Sequence, residues 1–269
     1  SFRMLGLFML IPVFSVVAMH LKDATPFLIG LALGAYGCSQ GILQIPFGIL
    51  SDKIGRKPVI SAGLILFAAG SLIGALSESI YGIIIGRTLQ GMGAIGSVLI
   101  ALTADLTSDK NRTKSMAIIG ITIGLSFAVA MIISPPIAKY YQLKGIFYLS
   151  TALALCGLLL IWFVIPSPSR QSTYVERDTN VSLLRNVLRQ RSLMQLNASI
   201  FIQHFLLTTT FFAVPIILHK PINSGVTLQT WYFYLPVMLV AFIAMIPLII
   251  FAERKHQMKS VITGAILSG

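Results

Sequence analysis

The most concentrated polar chemistry in this sequence is one decapeptide, Gly48-Ile49-Leu50-Ser51-Asp52-Lys53-Ile54-Gly55-Arg56-Lys57. A single acid stands there beside three bases, a set suited to making and breaking an ion pair at a helix end. Gly55 permits a tight turn, and Gly48 permits close approach of another helix. The plainer reading is a basic loop carrying one acid.

A second cluster is Arg87-Thr88-Leu89-Gln90-Gly91-Met92-Gly93-Ala94, in which Arg87 interrupts an otherwise uncharged apolar run. A guanidinium inside a membrane span costs a few kcal/mol on insertion scales, so it faces a cavity or a partner, or its side chain snorkels to the nearer surface. Facing inward, such a cation can favour the ionised form of a nearby acid or bind an anionic substrate. His204 also lies within an apolar run. It is either a proton carrier near mid-membrane or a polar contact between helices. None of the eight acids, Asp23, Asp52, Glu78, Asp105, Asp109, Glu176, Asp178 and Glu253, falls at mid-membrane. Gln40, Gln44, Asn197 and Gln203 either line a cavity or join helices. The two cysteines, Cys38 and Cys156, have no partner at metal-ligand spacing and read as small buried hydrophobes. The sequence calls for no metal and no cofactor. It lacks the clustered His, Asp or Cys of an enzyme and the phosphate loop of an ATP-driven pump.

These residues are set in a chain of 269 residues that is 56% hydrophobic and only 10% charged. Soluble domains carry about 25% charged residues, so the solvent for most of this chain is lipid. The net charge of +12 could suggest nucleic acid. The bases sit in short loops between uncharged runs, however, which is the pattern of membrane orientation. Nucleic acid is therefore excluded as a partner, and the bilayer takes its place.

A spanning helix needs about 20 apolar residues. Uncharged runs cover residues 4–19, 24–51, 58–77, 115–138, 145–169, 192–218 and 221–252, and the run over 79–104 carries Arg87 alone. Another run begins at Ser260. The expectation is eight helical spans and the start of a ninth. The runs are too long and too little alternating for barrel strands. With the loop after the second span inside, the inside loops hold fifteen Lys and Arg, Arg3 among them, and the outside loops hold four. That bias puts the amino terminus in the cytoplasm.

Residues 166–192 hold two prolines, several Ser and Thr, and five Arg, and read as a cytoplasmic linker with a short helix over Val181–Arg191. The linker divides the chain into an amino-terminal half, residues 1–165, and part of a second half, residues 193–269. Two halves are also suggested by a repeat. Pro46 and Asp52-Lys53 match Pro247 and Glu253-Arg254 at an offset of 201 residues, and Pro12 matches Pro215 at 203.

The decapeptide resembles the signature loop of the major facilitator superfamily at every constrained position. The Arg87-to-Gly93 segment resembles the fourth-span motif of the same superfamily. Span five, with Gly120, Gly124 and Ser134-Pro135-Pro136-Ile137-Ala138, resembles in part the glycine-rich fifth span of the drug/proton antiporter branch. Ser134 and Ala138 stand there where that branch has glycine. Together with Ser1-Phe2-Arg3-Met4 and Gln44-Ile45-Pro46-Phe47-Gly48, the pattern is similar to the YajR-type bacterial transporters, and the likeness covers nearly the whole chain.

The resemblance implies an all-α helix bundle of two six-helix halves, with this sequence stopping in span nine, short of the last spans and a small soluble carboxy-terminal domain. It implies a conformational latch of Gly48, Asp52, Gly55, Arg56 and Arg112. It implies roles in proton coupling or the substrate cavity for Arg87, Gln90 and Gly91, to which His204 is added by depth. The expected function is proton-coupled efflux of small amphiphilic compounds across the bacterial inner membrane by a monomer, with protons and a small molecule as partners. A uniporter or uptake symporter, and a membrane receptor or sensor, are the rival readings.

Overall fold

Lipid offers no hydrogen bonds, so a backbone that crosses it satisfies its polar groups internally, and the apolar runs do so as helices. The structure, a computed structural model, describes residues 2–166 and 189–218, together with Pro236 and Val240. Among these residues lie eight helices. They are α1 (Phe2–Phe8), α2 (Phe14–Val17), α3 (Pro26–Ile54), α4 (Arg56–Leu76), α5 (Ile80–Met92), α6 (Gly96–Leu106), α7 (Asp109–Phe163) and α8 (Arg191–Leu218). A 3-10 turn, Ala18–His20, follows α2. No strand occurs among the described residues, and one isolated parallel bridge joins Lys22 to Ser79. The chain divides into two units, Ser1–Leu184 and Arg185–Gly269, with α8 in the second.

Five stretches among the described residues are long and apolar enough to cross a membrane: Pro26–Ile54, Arg56–Leu76, Ile80–Leu106, Lys114–Phe163 and Leu193–Val214. The fourth, at 50 residues, has the length for two passes. Helix ends follow local chemistry. Thr25 caps α3 by accepting from the Leu28 N–H at 3.2 Å, and Pro26 opens the helix with the fixed φ suited to that position. At the other end Gly55 has φ 101°, a conformation glycine reaches without penalty, and α4 starts at the next residue.

The structure departs from the sequence reading in four places. The first span is not one helix. Pro12 has no N–H to give the Phe8 carbonyl, and residues 9–13 form turns held by Ile11 N to Phe8 O at 3.2 Å and Val13 N to Leu10 O at 3.4 Å. The Ser134 hydroxyl donates to the Met9 carbonyl inside this break. Span four is likewise two helices, α5 and α6, parted at residues 93–95. Arg3, counted with the inside loops, is only 4% exposed and sits within the bundle on α1. Cys38 and Cys156 are exposed rather than buried, since a surface that meets lipid accepts an apolar thiol as readily as a core does.

Spans five and six run together as α7, broken at Gln142 (φ 53°, ψ −151°). The linker helix, the eighth span apart from Pro236 and Val240, its half of the repeat, and the ninth span lie outside the described residues.

Within the first unit, α4 packs on α5 and α7, α3 on α5, and α1 on α7. One core cluster joins Val59, Ile60 and Leu64 of α4 to Ile95, to Val98 and Leu102 of α6, and to Ile161 of α7. A second joins Tyr36 of α3, Phe67 and Ala68 of α4, and Ala154 of α7. The α4–α5 crossing is close because glycines face each other. A methyl added at Gly70 would lie 2.5 Å from the Gly86 carbonyl oxygen and 2.5 Å from the Gln90 nitrogen.

Candidate functional site

Seven residues of α5 separate Arg87 from Ile80, a rise of about 10 Å into the helix. The Arg87 side chain does not snorkel. It is 3% exposed, and its guanidinium lies over the Tyr36 ring at 4.4 Å from the centroid. Nη1 donates to Gln90 Oε1 at 2.9 Å, three residues on and thus on the same helix face. Gln90 Nε2 donates to Ser71 Oγ on α4 at 2.7 Å, and the Ser71 hydroxyl donates to the Phe67 carbonyl at 2.7 Å. Arg87, Gln90 and α4 are therefore one chain of hydrogen bonds.

Tyr36 connects that chain to α1. Its hydroxyl accepts from Arg3 Nη2 at 2.9 Å, and the same nitrogen lies 3.4 Å from Gln40 Oε1. Arg3 also sits 5.5 Å from the centre of the Phe67 ring. Gly91 makes the α3–α5 approach possible, because any Cβ there would collide with the Tyr36 carbonyl and the Ser39 hydroxyl. Ser39 Oγ crosses the same seam to the Thr88 carbonyl at 2.9 Å. The site is thus two cations, an aromatic ring, two amides and a hydroxyl, spread over α1, α3, α4 and α5. No carboxylate pairs with Arg3 or Arg87 among the described residues. A set with two cations and no acid can attract and orient negative charge.

The second site lies at the α3–α4 turn. Arg56 Nη1 is 2.5 Å from Asp52 Oδ1, and its Nε is 2.9 Å from Asp105 Oδ2 near the end of α6. Nη1 also donates to Ser51 Oγ at 2.6 Å. The turn is thereby tied to α6. The Asp105 side chain is 30% exposed and that of Asp52 64%, so the Asp105 pair is the better sheltered from solvent. Gly48 stands above this turn, and a Cβ there would meet Ser97 Oγ at an ordinary 3.6 Å, so the approach at Gly48 is less tight than the sequence suggested. Arg112 is exposed on the first turn of α7.

Gly48, Asp52, Gly55 and Arg56 are thus brought together, and so are Arg87, Gln90 and Gly91. His204 lies on α8 of the second unit, with Nδ1 3.0 Å from the Ile200 carbonyl one turn earlier. In the fifth span a Cβ on Gly120 would meet nothing within 4 Å, while Gly124 and Pro135 are half-buried. Among the described residues no three His, Cys, Asp or Glu are placed to hold a metal ion.

Sequence reasoning missed Arg3, Tyr36, Ser71 and Asp105 as members of these sites. Arg3 gave a signal, a charge at the edge of an apolar run, but it was spent on orientation. Tyr36 and Ser71 carry no local signal, because only the fold brings them to Arg87.

A comparison with protein families matches the Major Facilitator Superfamily over residues 1–269. The inner membrane transport protein YajR of Escherichia coli is 45% identical over 262 residues, 97% of this chain and 57% of the relative. An uncharacterised transporter of Buchnera aphidicola subsp. Acyrthosiphon pisum is 37% identical over 268 residues, 98% of this chain and 68% of the relative. The chain thus spans little more than half the length of the first of these proteins. Among solved structures, a D-xylose–proton symporter superposes with a TM-score of 0.63 at 16% identity, covering 94% of this chain and 68% of its own, a likeness of fold.

Proposed function

The chain belongs to the Major Facilitator Superfamily, and we propose that it supplies residues 1–165 as one half, and residues 193–269 as part of the other, of a proton-coupled secondary transporter that exports small amphiphilic compounds by alternating access. Residues 166–192 link the halves on the cytoplasmic side of the bacterial inner membrane, the amino terminus is cytoplasmic, and the protein works as a monomer. The carrying observation is Arg87. A cation buried in a membrane-crossing helix and held by Gln90 costs stability that lipid-facing structure gives no reason to accept, and such residues mark transport pathways. The charged turn tied together by Arg56 supports a state-dependent latch at Asp52.

One observation favours a rival. The acids in the described spans, Asp52 and Asp105, stand near helix ends, which leaves proton coupling to Arg87 and His204, and a uniporter of the same superfamily needs no proton carrier. The experiment uses the full-length protein in proteoliposomes with a trapped pH dye and a panel of amphiphiles and sugars. Coupled efflux predicts substrate-dependent proton movement, lost in Arg87→Ala and Asp52→Asn. Substrate flux without proton movement refutes coupling and supports the uniporter. Saturable binding without flux refutes transport and supports a receptor.

A further inference from the structure

Two buried guanidiniums share one ring, and their charge is not balanced by any described side chain. Arg3 Nη2 bonds to the Tyr36 hydroxyl, and Arg87 covers the Tyr36 ring. Arg3 Nε, Arg3 Nη1 and Arg87 Nε are buried N–H groups with no acceptor among the described residues, although the two residues are 4% and 3% exposed. A purely structural arginine in an apolar bundle is held by carboxylates or backbone carbonyls, because an unpaired buried donor is costly. The described acids that form ion pairs are committed elsewhere. Asp52 and Asp105 hold Arg56 and Glu78 holds Lys144, while Asp23 is exposed in the loop before α3.

We propose that Arg3, Tyr36, Gln40, Arg87 and Gln90 form a binding site for an oxyanion, a carboxylate or phosphate group that is either free or the anionic head of an amphiphilic ligand. Three unsatisfied guanidinium donors supply what an oxyanion accepts, and charge-assisted bonds of this kind are the strong ones. Gln40 and Gln90 each place their oxygen on an arginine, fixing the guanidiniums in place. Two cations without a counter-charge repel a cationic head, so the site selects against cationic amphiphiles. The assignment of an organic anion as transported substrate rests on the transport reading above. The site itself does not.

The test is therefore a binding measurement that needs no flux. The full-length protein in nanodiscs is melted at fixed pH and matched ionic strength in sodium benzoate, sodium phosphate, sodium chloride or tetraphenylphosphonium chloride. Ligands that bind the folded state raise the melting temperature in a saturable way. The expected result is a saturable rise with an oxyanion and none with chloride or tetraphenylphosphonium. A rise with phosphate but not benzoate identifies a free inorganic anion, and a rise with benzoate alone identifies an organic head. Arg3→Gln and Arg87→Gln abolish the rise, while Lys144→Gln, a lysine paired with Glu78 outside the site, retains it. Arg87→Lys keeps the charge but loses the Nε donor, and weakens binding by about tenfold or more. No oxyanion-specific rise in the unaltered protein overturns the proposal, whatever the variants do. So does an equal rise in both folded arginine variants, or a rise with tetraphenylphosphonium alone.

Discussion

Replacing Gly70 by alanine tests whether the close α4–α5 crossing positions the buried arginine. The new methyl would lie 2.5 Å from the Gln90 nitrogen and from the Gly86 carbonyl oxygen, and 3.0 Å from Gln90 Cγ. Two of these neighbours are backbone atoms within a helix and cannot turn away. Normal contact begins near 3.5 Å, so the helices must part by about 1 Å. Overpacking of this kind costs about 1–3 kcal/mol, against which alanine returns about 1 kcal/mol of helix propensity. The net expectation is a loss of up to about 2 kcal/mol. The displaced residue is Gln90, whose bonds to Arg87 and Ser71 measure 2.9 and 2.7 Å, so the strain falls on the candidate site.

Gly157→Ala is the control. Its methyl would meet the Leu64 methyl groups at 3.6 and 3.7 Å, ordinary contacts, and should add about 0.5–1 kcal/mol of stability. Thermal unfolding of the full-length protein in detergent, followed by intrinsic tryptophan fluorescence, reads both variants against unaltered protein. Shifts of opposite sign are expected. A Gly70→Ala protein that melts at or above the unaltered protein would refute the account of the crossing, as would a Gly157→Ala protein destabilised to the same degree.

Two further outcomes follow from the turns. A double-mutant cycle of Arg56→Gln and Asp105→Asn, read by the same melts, should give a coupling of about 0.5–1 kcal/mol, the range of partly exposed pairs; a coupling of zero would mean that the 2.9 Å contact does not hold α6 to the turn. Gln142→Gly should stabilise by about 1 kcal/mol, because a non-glycine residue at φ 53°, ψ −151° is strained; a lower melting temperature would show that the Gln142 side chain contributes more than its backbone costs.

Much of the fold was legible because lipid imposes a simple rule on sequence: long uncharged runs become helices. What the rule cannot show is where a helix breaks while remaining apolar. Pro12 announces its break by lacking a donor, but only the structure shows Ser134 of α7 donating to the Met9 carbonyl inside that break. The interruption at residues 93–95 follows Gly91 and begins at Gly93, and the need of both glycines for close neighbours depends on what lies opposite. The α3–α4 turn was legible to the residue, since Asp52, Gly55 and Arg56 are neighbours in sequence. Asp105 was not, because its pairing with Arg56 joins positions 49 residues apart. Arg87 could be recognised as costly, whereas Tyr36, which it covers, and Arg3, which bonds to Tyr36, are 51 and 84 residues away, beyond any local pattern.

The two partners of Arg56 bear on how an Asp52 variant is to be understood. Asp52 is the more exposed partner, and Asp105 holds Arg56 independently through Nε. Removing the Asp52 charge therefore leaves the α3–α4 turn fastened to α6, and Gly55 continues to set its direction. The local structure should survive Asp52→Asn with a cost at the small end of the range for exposed ion pairs, ~1 kcal/mol or less. A large loss of transport in that variant would not be a folding effect. It would report a contact that Asp52 makes in another state of the cycle, which is what distinguishes a latch from a basic loop with one acid in it.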